Sequence, residues 1–273
     1  MNTINSTMMT LIARHSLARS QAALATAMER LATGTRLNRA SDDPAGMIAA
    51  ERLESRNYAL ERMIDRLDFD NNRLAAKDGA LSVLGDMATE LEGLVVAAAN
   101  TGAMSDVERE ALQIEADSIV QGMNHVVNTS TFNGEKLLGG FEASSLGSVH
   151  GTVTEGGETL TTTFTLADLV SGGKLDLVSG DLSLAQEVAS KAASRIATAR
   201  GAVGNLMLEN ESRMRSSMAE LESSSAALSA IRDTDYYAET ASLMRARVLE
   251  QAGVATLLIG FQHQERVLGL LAA

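Results

Sequence analysis

Residues 53–81 read LESRNYALERMIDRLDFDNNRLAAKDGAL, and Leu53, Leu60, Leu67, Leu74 and Leu81 fall at intervals of seven. A seven-residue apolar repeat keeps one stripe of a helix turned toward the same neighbour. Ala88 and Val95 carry the row further. A companion row through Met63, Leu84 and Leu91 is interrupted by Asp70 and Lys77, so the pattern predicts a bundle, not a clean two-stranded seam. Upstream, Ser41-Asp42-Asp43 offers side-chain oxygens to free helix amides, and Pro44 suits a first helical position. One helix is therefore expected from Pro44 to about Asn100, about 80 Å long at the helical rise per residue.

Working outward, Ile4 to Leu31 places Leu17, Leu24 and Leu31 at the same spacing, with Met28 and alanines beside them, until Thr33-Gly34-Thr35 breaks the helix. Beyond the long helix, Asn100-Thr101-Gly102 is a stop. Ser105 with Glu108 forms a capping signature for a third helix to about Val127, and the short loop predicts antiparallel neighbours. From Thr129 to Gly180 the chain turns to Gly, Ser and Thr. Val149 to Thr165 reads as strand, with Gly156-Gly157 and Gly172-Gly173 as hairpin-type turns. Near Leu184 helix returns, with Met207, Met214, Leu221 and Leu228 as a heptad row and Ile196, Val203, Met218 and Ile231 alongside. After Asp233-Thr234-Asp235, a last helix carries Leu243, Met244, Val248, Ala252, Ala255, Leu258 and Ile259 to the apolar end Val267-Leu268-Gly269-Leu270-Leu271.

These elements predict a mainly α fold: a long antiparallel helical rod with an N- and C-terminal coiled-coil pair and a small central β-element. The expected segments are 1–32 and 233–273 for the terminal pair, 33–43 for a linker, 44–128 and 181–232 for the rod, and 129–180 for a β-rich insertion. Leu53, Leu60, Leu67, Leu74 and Leu81 with Met207, Met214, Leu221 and Leu228 are the expected rod core.

Composition narrows the function. The 273 residues hold no Cys, no Trp, one Pro and 3% aromatics, which suits a bundle filled by Leu, Ala, Met and Val. A net charge of −12 argues against nucleic acid, whose phosphates are bound by clustered Lys and Arg. No apolar run reaches the roughly 18 residues of a membrane span, so no membrane insertion is expected. The Arg-rich, acid-poor start resembles a transit peptide in composition, but it runs on without a break into further helical pattern. His15, His125, His150 and His263 are scattered, with no metal-ligand spacing. Asp42-Asp43 and Asp233/Asp235 are better explained as helix caps than as acid pairs. No catalytic residue, metal or cofactor is expected.

Both ends of the chain are thus amphipathic helices, which are marginal in water until their apolar stripes are covered. Pairing covers part of each stripe, and contact with other copies covers the rest. A head-to-tail contact that does not close generates a helical homopolymer. Leu17, Leu24, Met28, Leu31, Met244, Val248, Ala252, Ala255, Leu258 and Ile259 are the expected interface.

Several motifs, in order, resemble bacterial flagellin. They are Ile4-Asn5-Ser6, Ser20-Gln21-Ala22-Ala23-Leu24, Glu29 through Asn38, Ser41-Asp42-Asp43-Pro44-Ala45-Gly46, Thr131 through Leu138, Ile231-Arg232-Asp233-Thr234-Asp235-Tyr236, and Arg245 to Gly253. The resemblance implies a filament subunit for motility, exported unfolded by the flagellar type III export apparatus. It also implies an export chaperone and flagellar cap and junction proteins as partners. Where many flagellins carry an Arg-containing contact for Toll-like receptor 5, this chain reads Glu90-Leu91-Glu92-Gly93-Leu94, which implies weak activation of that receptor. Gln264 and Phe261 also depart from common family residues. A hook-filament junction protein shares the Asp-Asp-Pro element, but the match at Asp235 and Arg245 to Gly253 favours flagellin. A chemoreceptor-like signalling hairpin would lack the β-insertion.

Overall fold

The computed structural model describes the backbone of residues 2–100, 104–141, 146–155 and 158–272, and the side chains of residues 8, 10–100, 104–141, 146–151 and 162–262. Among the described residues the chain is mainly α, with five long helices and two small two-stranded sheets. The order is α1 (Asn2–Thr33), α2 (Pro44–Ala98), α3 (Asp106–Thr129), β1 (Thr131–Phe132), β2 (Glu135–Lys136), β3 (Val149–Glu155), β4 (Glu158–Phe164), α4 (Leu182–Arg232) and α5 (Tyr236–Ala272), with a 3-10 turn at Leu166–Leu169 before α4. The chain divides into two compact units, residues 1–62 with 218–273, and residues 63–217.

Helix ends follow the local chemistry. Gly34, at φ +73°, takes the left-handed conformation that closes α1, and its N–H donates to the Arg30 carbonyl at 2.9 Å. Asp43 caps α2 by accepting from the Gly46 amide at 3.0 Å. Asp42 does not share that duty: its Oδ2 accepts from the Asn38 and Arg39 amides and braces the linker. Helix α3 opens with the expected reciprocal box, Ser105 Oγ accepting from the Glu108 amide and Glu108 accepting from the Ser105 amide. The Ser105 amide, and after it the Ser105 hydroxyl, donate to the Glu108 carboxylate and hold it below its ordinary pKa. Asp235 caps α5 through the Tyr237 and Ala238 amides.

The unit formed by residues 63–217 holds the main core. Leu81, Leu84, Leu91 and Val95 of α2 are fully buried against Ile119, Val120 and Met123 of α3 and Val188, Ala192 and Ile196 of α4. Gly122 lies against Met87, where a Cβ would stand 3.2 Å from the Met87 Cε, as an antiparallel α2–α3 pair requires. Phe69 and Phe132 meet edge to face, with centroids 5.3 Å apart.

The segment expected to be a β-rich insertion is more than that. Strands β3 and β4 form the predicted antiparallel hairpin, Val149 paired with Phe164 and Glu155 with Glu158, while Gly156-Gly157 lies outside the described residues. Gly172-Gly173 is not a hairpin: Gly172, at φ +81°, turns the chain after the 3-10 turn, and Gly173 donates to the Val170 carbonyl. No strands flank it because Leu166, Leu169, Leu175 and Leu177 are drawn fully into the core instead. One buried side chain fastens this loop. Gln113 of α3 donates to the Leu169 carbonyl at 2.8 Å and to Asp117, and accepts from the Leu177 amide at 2.6 Å. Farther along, burial pushes the Asp176 carboxyl up, but the Ser179 hydroxyl and the Ser179, Gly180 and Val178 amides together hold it below its ordinary value. Asp181 is lowered chiefly by the Ser183 hydroxyl, against burial, with help from the Leu184 and Ser183 amides.

Candidate assembly interface

Within the unit formed by residues 1–62 and 218–273, α1 and α5 pack along each other. The register is antiparallel. Gly253 lies over Leu17, where a Cβ would stand 3.4 Å from the Leu17 Cδ1, and Gly260 lies over Thr10 at the same distance from its Cγ2. Stepping by sevens in this register brings Leu24 level with Ala246 and Leu31 level with Glu239. Burial repeats at the same interval: Leu17, Leu24 and Leu31 are half-buried, and Ser20, Ala27 and Ala246 are buried. At Leu17 and Leu24 the seam therefore sets leucine against small residues, Gly253 and Ala246, which lets the helices approach closely there.

Polar bonds fix the end of the pair near the linker. The Thr234 amide donates to the Gly34 carbonyl at 3.0 Å, the Arg36 amide donates to the Arg232 carbonyl at 2.6 Å, and Thr35 bridges Asp233. Arg30 reaches Glu239 at 3.8 Å, and Gln21 donates to Glu250 at 3.4 Å.

The sequence-derived interface residues separate into two groups. Leu17, Leu24 and Leu31 line the seam. Met28, Met244, Val248, Ala252, Ala255, Leu258 and Ile259 stay exposed, Val248 at 63% and Ile259 at 58%. On α5 the two sets lie on opposite faces. Ala246, Gly253 and Gly260 with Leu243, Glu250 and Leu257 turn toward α1, while Met244, Val248, Ala255, Leu258 and Ile259 turn away. A helix apolar on both faces is one that ends up surrounded. Leu243 and Leu257, level with the small residues Ala27 and Ala13 in this register, and the exposed Met8, Leu11 and Ile12 of α1 were absent from the predicted interface. On α5 the seven-residue spacing of the small residues Ala246, Gly253 and Gly260 traces the seam that Leu243 and Leu257 join. The apolar end Val267 to Leu271, His263 and Gln264 lie outside the described side chains.

The expected rod core also divides. Leu60, Leu67 and Leu81 are buried, whereas Leu53, Leu74, Met207, Met214, Leu221 and Leu228 are half-buried. The reason is the adjoining row. Asn57 and Ser224 in one unit, and Asn71, Asn210 and Ser217 in the other, occupy positions where a wide seam would place leucine. Asn57 Oδ1, Asn71 Oδ1 and Ser224 Oγ are buried without a hydrogen-bond partner. Cross-helix ion pairs join Arg56 to Glu220 and Arg200 to Asp78. In the stretch compared with receptor-binding flagellins, Glu90 is exposed, Glu92 is half-buried, and Leu94 packs against the core. Among the described residues no cluster of His, Cys, Asp and Glu is arranged to hold a metal, and no helix is long and apolar enough to cross a membrane.

What these features define is a class of helical protein with paired terminal helices and a second, uncovered apolar face. The family described as the bacterial flagellin N-terminal helical region matches residues 4–143, just over half of the sequence. The chain belongs to the bacterial flagellin family. It is 26% identical over 260 residues to the flagellar filament 30.7 kDa core protein of Treponema maltophilum, covering 90% of this chain and 91% of the relative. It is 32% identical over 138 residues to polar flagellin F of Vibrio parahaemolyticus, covering 50% of this chain and 36% of that protein. Against the flagellin of Listeria monocytogenes it is 28% identical over 135 residues, covering 50% and 47%. The matched stretch thus spans less than half the length of those last two relatives.

Proposed function

We propose that this chain is a structural subunit of the extracellular flagellar filament, used for motility and without catalytic activity. The observation that carries the reading is the second apolar face of α5. Burying a large aliphatic side chain is worth roughly 1.5–3 kcal/mol. The exposed halves of Met244, Val248, Leu249, Leu258 and Ile259 together leave roughly 4–8 kcal/mol of burial unused by the lone chain. That is on the order of the whole stability of a small domain, so coverage by neighbouring copies decides whether the ends stay ordered. The Treponema maltophilum relative, matched along nearly its whole length, carries a name that favours filament subunit over junction protein.

Negative-stain microscopy of the purified protein tests this directly: long tubular fibres are expected, and a persistent monomer would overturn it. Trimming residues 1–32 and 236–273 is expected to leave a folded, soluble protein that forms no fibres.

Family membership supports the remaining partners: the type III export apparatus, an export chaperone, and cap and junction proteins. Secretion to the flagellum follows from the same reading. Glu90 and Glu92 support weak Toll-like receptor 5 activation, since carboxylates repel a partner surface suited to arginine. A receptor-reporter assay giving full potency would remove that proposal.

A further inference from the structure

Met8, Met28 and Met244 are 62%, 52% and 59% exposed, and all three stand on the α1–α5 pair. Met123 is fully buried, and Met87 and Met207 pack against the core. Met63 and Met218 are exposed on α2 and α4. The chain has no cysteine, so thioethers are its only sulfur. Met244 lies one helical turn from Val248, at the end of the uncovered face of α5 nearest the start of that helix.

We infer that the exposed methionines of the terminal pair are a modification site that gates assembly: a peroxide-class oxidant converts them to sulfoxides on the free subunit, and the oxidised face no longer associates. The inference rests on the reading of that face as the assembly surface. The chemistry is a two-electron transfer. The methionine sulfur attacks one oxygen of hydrogen peroxide, the O–O bond breaks, an S–O bond forms, and the remaining oxygen leaves as water with both protons. The product is a polar acceptor on a surface that needs to be dry. Two thiols delivered by a sulfoxide reductase reverse it, giving thioether, disulfide and water. Coverage by neighbours shields the same sulfurs, so the free subunit is the sensitive state.

The test uses the full-length subunit treated with hydrogen peroxide before assembly, with peptide mass spectrometry and sedimentation as readouts. Sulfoxide is expected first at Met8, Met28 and Met244, with Met123 spared, and the protein concentration needed for polymer should rise at least tenfold. Each variant is read against its own untreated form: peroxide should leave the concentration needed for polymer unchanged in M8L/M28L/M244L and raise it in M63L/M218L. Methionine sulfoxide reductase with dithiothreitol should restore assembly of the wild type. Unchanged assembly of wild type carrying the three sulfoxides would overturn the inference, as would equal peroxide sensitivity of the triple variant. Met244→Gln in untreated protein is expected to reproduce part of the loss, so wild-type assembly by that variant would also overturn it. Failure of untreated wild type to polymerise would be a different result: it removes the subunit reading itself, and the gate falls with it.

Discussion

Gly253 of α5 crosses Leu17 of α1 so closely that a Cβ on the glycine would stand 3.4 Å from the Leu17 Cδ1 and 3.8 Å from its Cα. One methyl group fits there in ordinary contact, and a larger side chain does not. Alanine also favours helix over glycine by about 1 kcal/mol. Gly253→Ala is therefore expected to leave the pair intact and raise the helicity of the free subunit, whereas Gly253→Leu should cost about 1–3 kcal/mol by forcing the helices apart. Circular dichroism melts of the two variants check the opposite signs.

Leu91 of α2 is fully buried in the core of the compact unit formed by residues 63–217. Leu91→Ala should cost about 2–5 kcal/mol, the sum of lost transfer energy and the cavity left behind. Chemical denaturation of the protein trimmed of residues 1–32 and 236–273 measures it. A loss below about 1 kcal/mol would mean that the core is packed elsewhere.

Asn57 places a carboxamide oxygen in a buried position with no donor, within the row where the leucine repeat needs an apolar neighbour. Leaving such a group unsatisfied costs roughly 1–3 kcal/mol. Asn57→Leu is expected to raise the melting temperature, and a lowered melting temperature would show that the polar row has a partner.

Acid should loosen the loop that precedes α4. Asp176 and Asp181 both titrate below their ordinary values in the folded chain because they accept hydrogen bonds as carboxylates. A group lowered on folding contributes stability that is present above its unfolded pKa of about 3.9 and is lost as pH falls through the folded value. Hydrogen exchange of the Ser179, Gly180, Ser183 and Leu184 amides should therefore accelerate below about pH 4. In Asp176→Asn with Asp181→Asn the acid-dependent part should be absent.

The helices were legible because their signals are periodic and local. Leu53 to Leu81 announced α2, Ser105 with Glu108 announced the start of α3, and Asp235 marked the start of α5. The hidden parts depend on tertiary choice. Alanine and glycine are ordinary on any helix, so Ala27, Ala246 and Gly253 gave no apolar signal although they form the seam. Leu166, Leu169, Leu175 and Leu177 stood in a Gly- and Ser-rich segment whose composition masked their burial, and the residues that tie that loop down, Gln113, Asp117 and Arg109, lie far off in the sequence on α3. The short hairpin β1–β2 was readable in principle: Asn133 at φ +50° and Gly134 at φ +83° form the turn that Asn-Gly favours. The terminal stripes were visible as apolar, but which residues face the partner helix and which stay uncovered is a matter of register, which α1 alone or α5 alone does not specify.

If copies of this chain assemble on the face of α5 turned away from α1, that face should not tolerate charge. Val248→Glu combined with Ile259→Glu places two charges on that face and none in the seam. Sedimentation of this variant beside wild type, with circular dichroism as the control for folding, is the decisive measurement. The expected result is unchanged helicity of the free subunit and no pelletable filament. Filaments formed at the wild-type concentration would show that copies assemble through another surface.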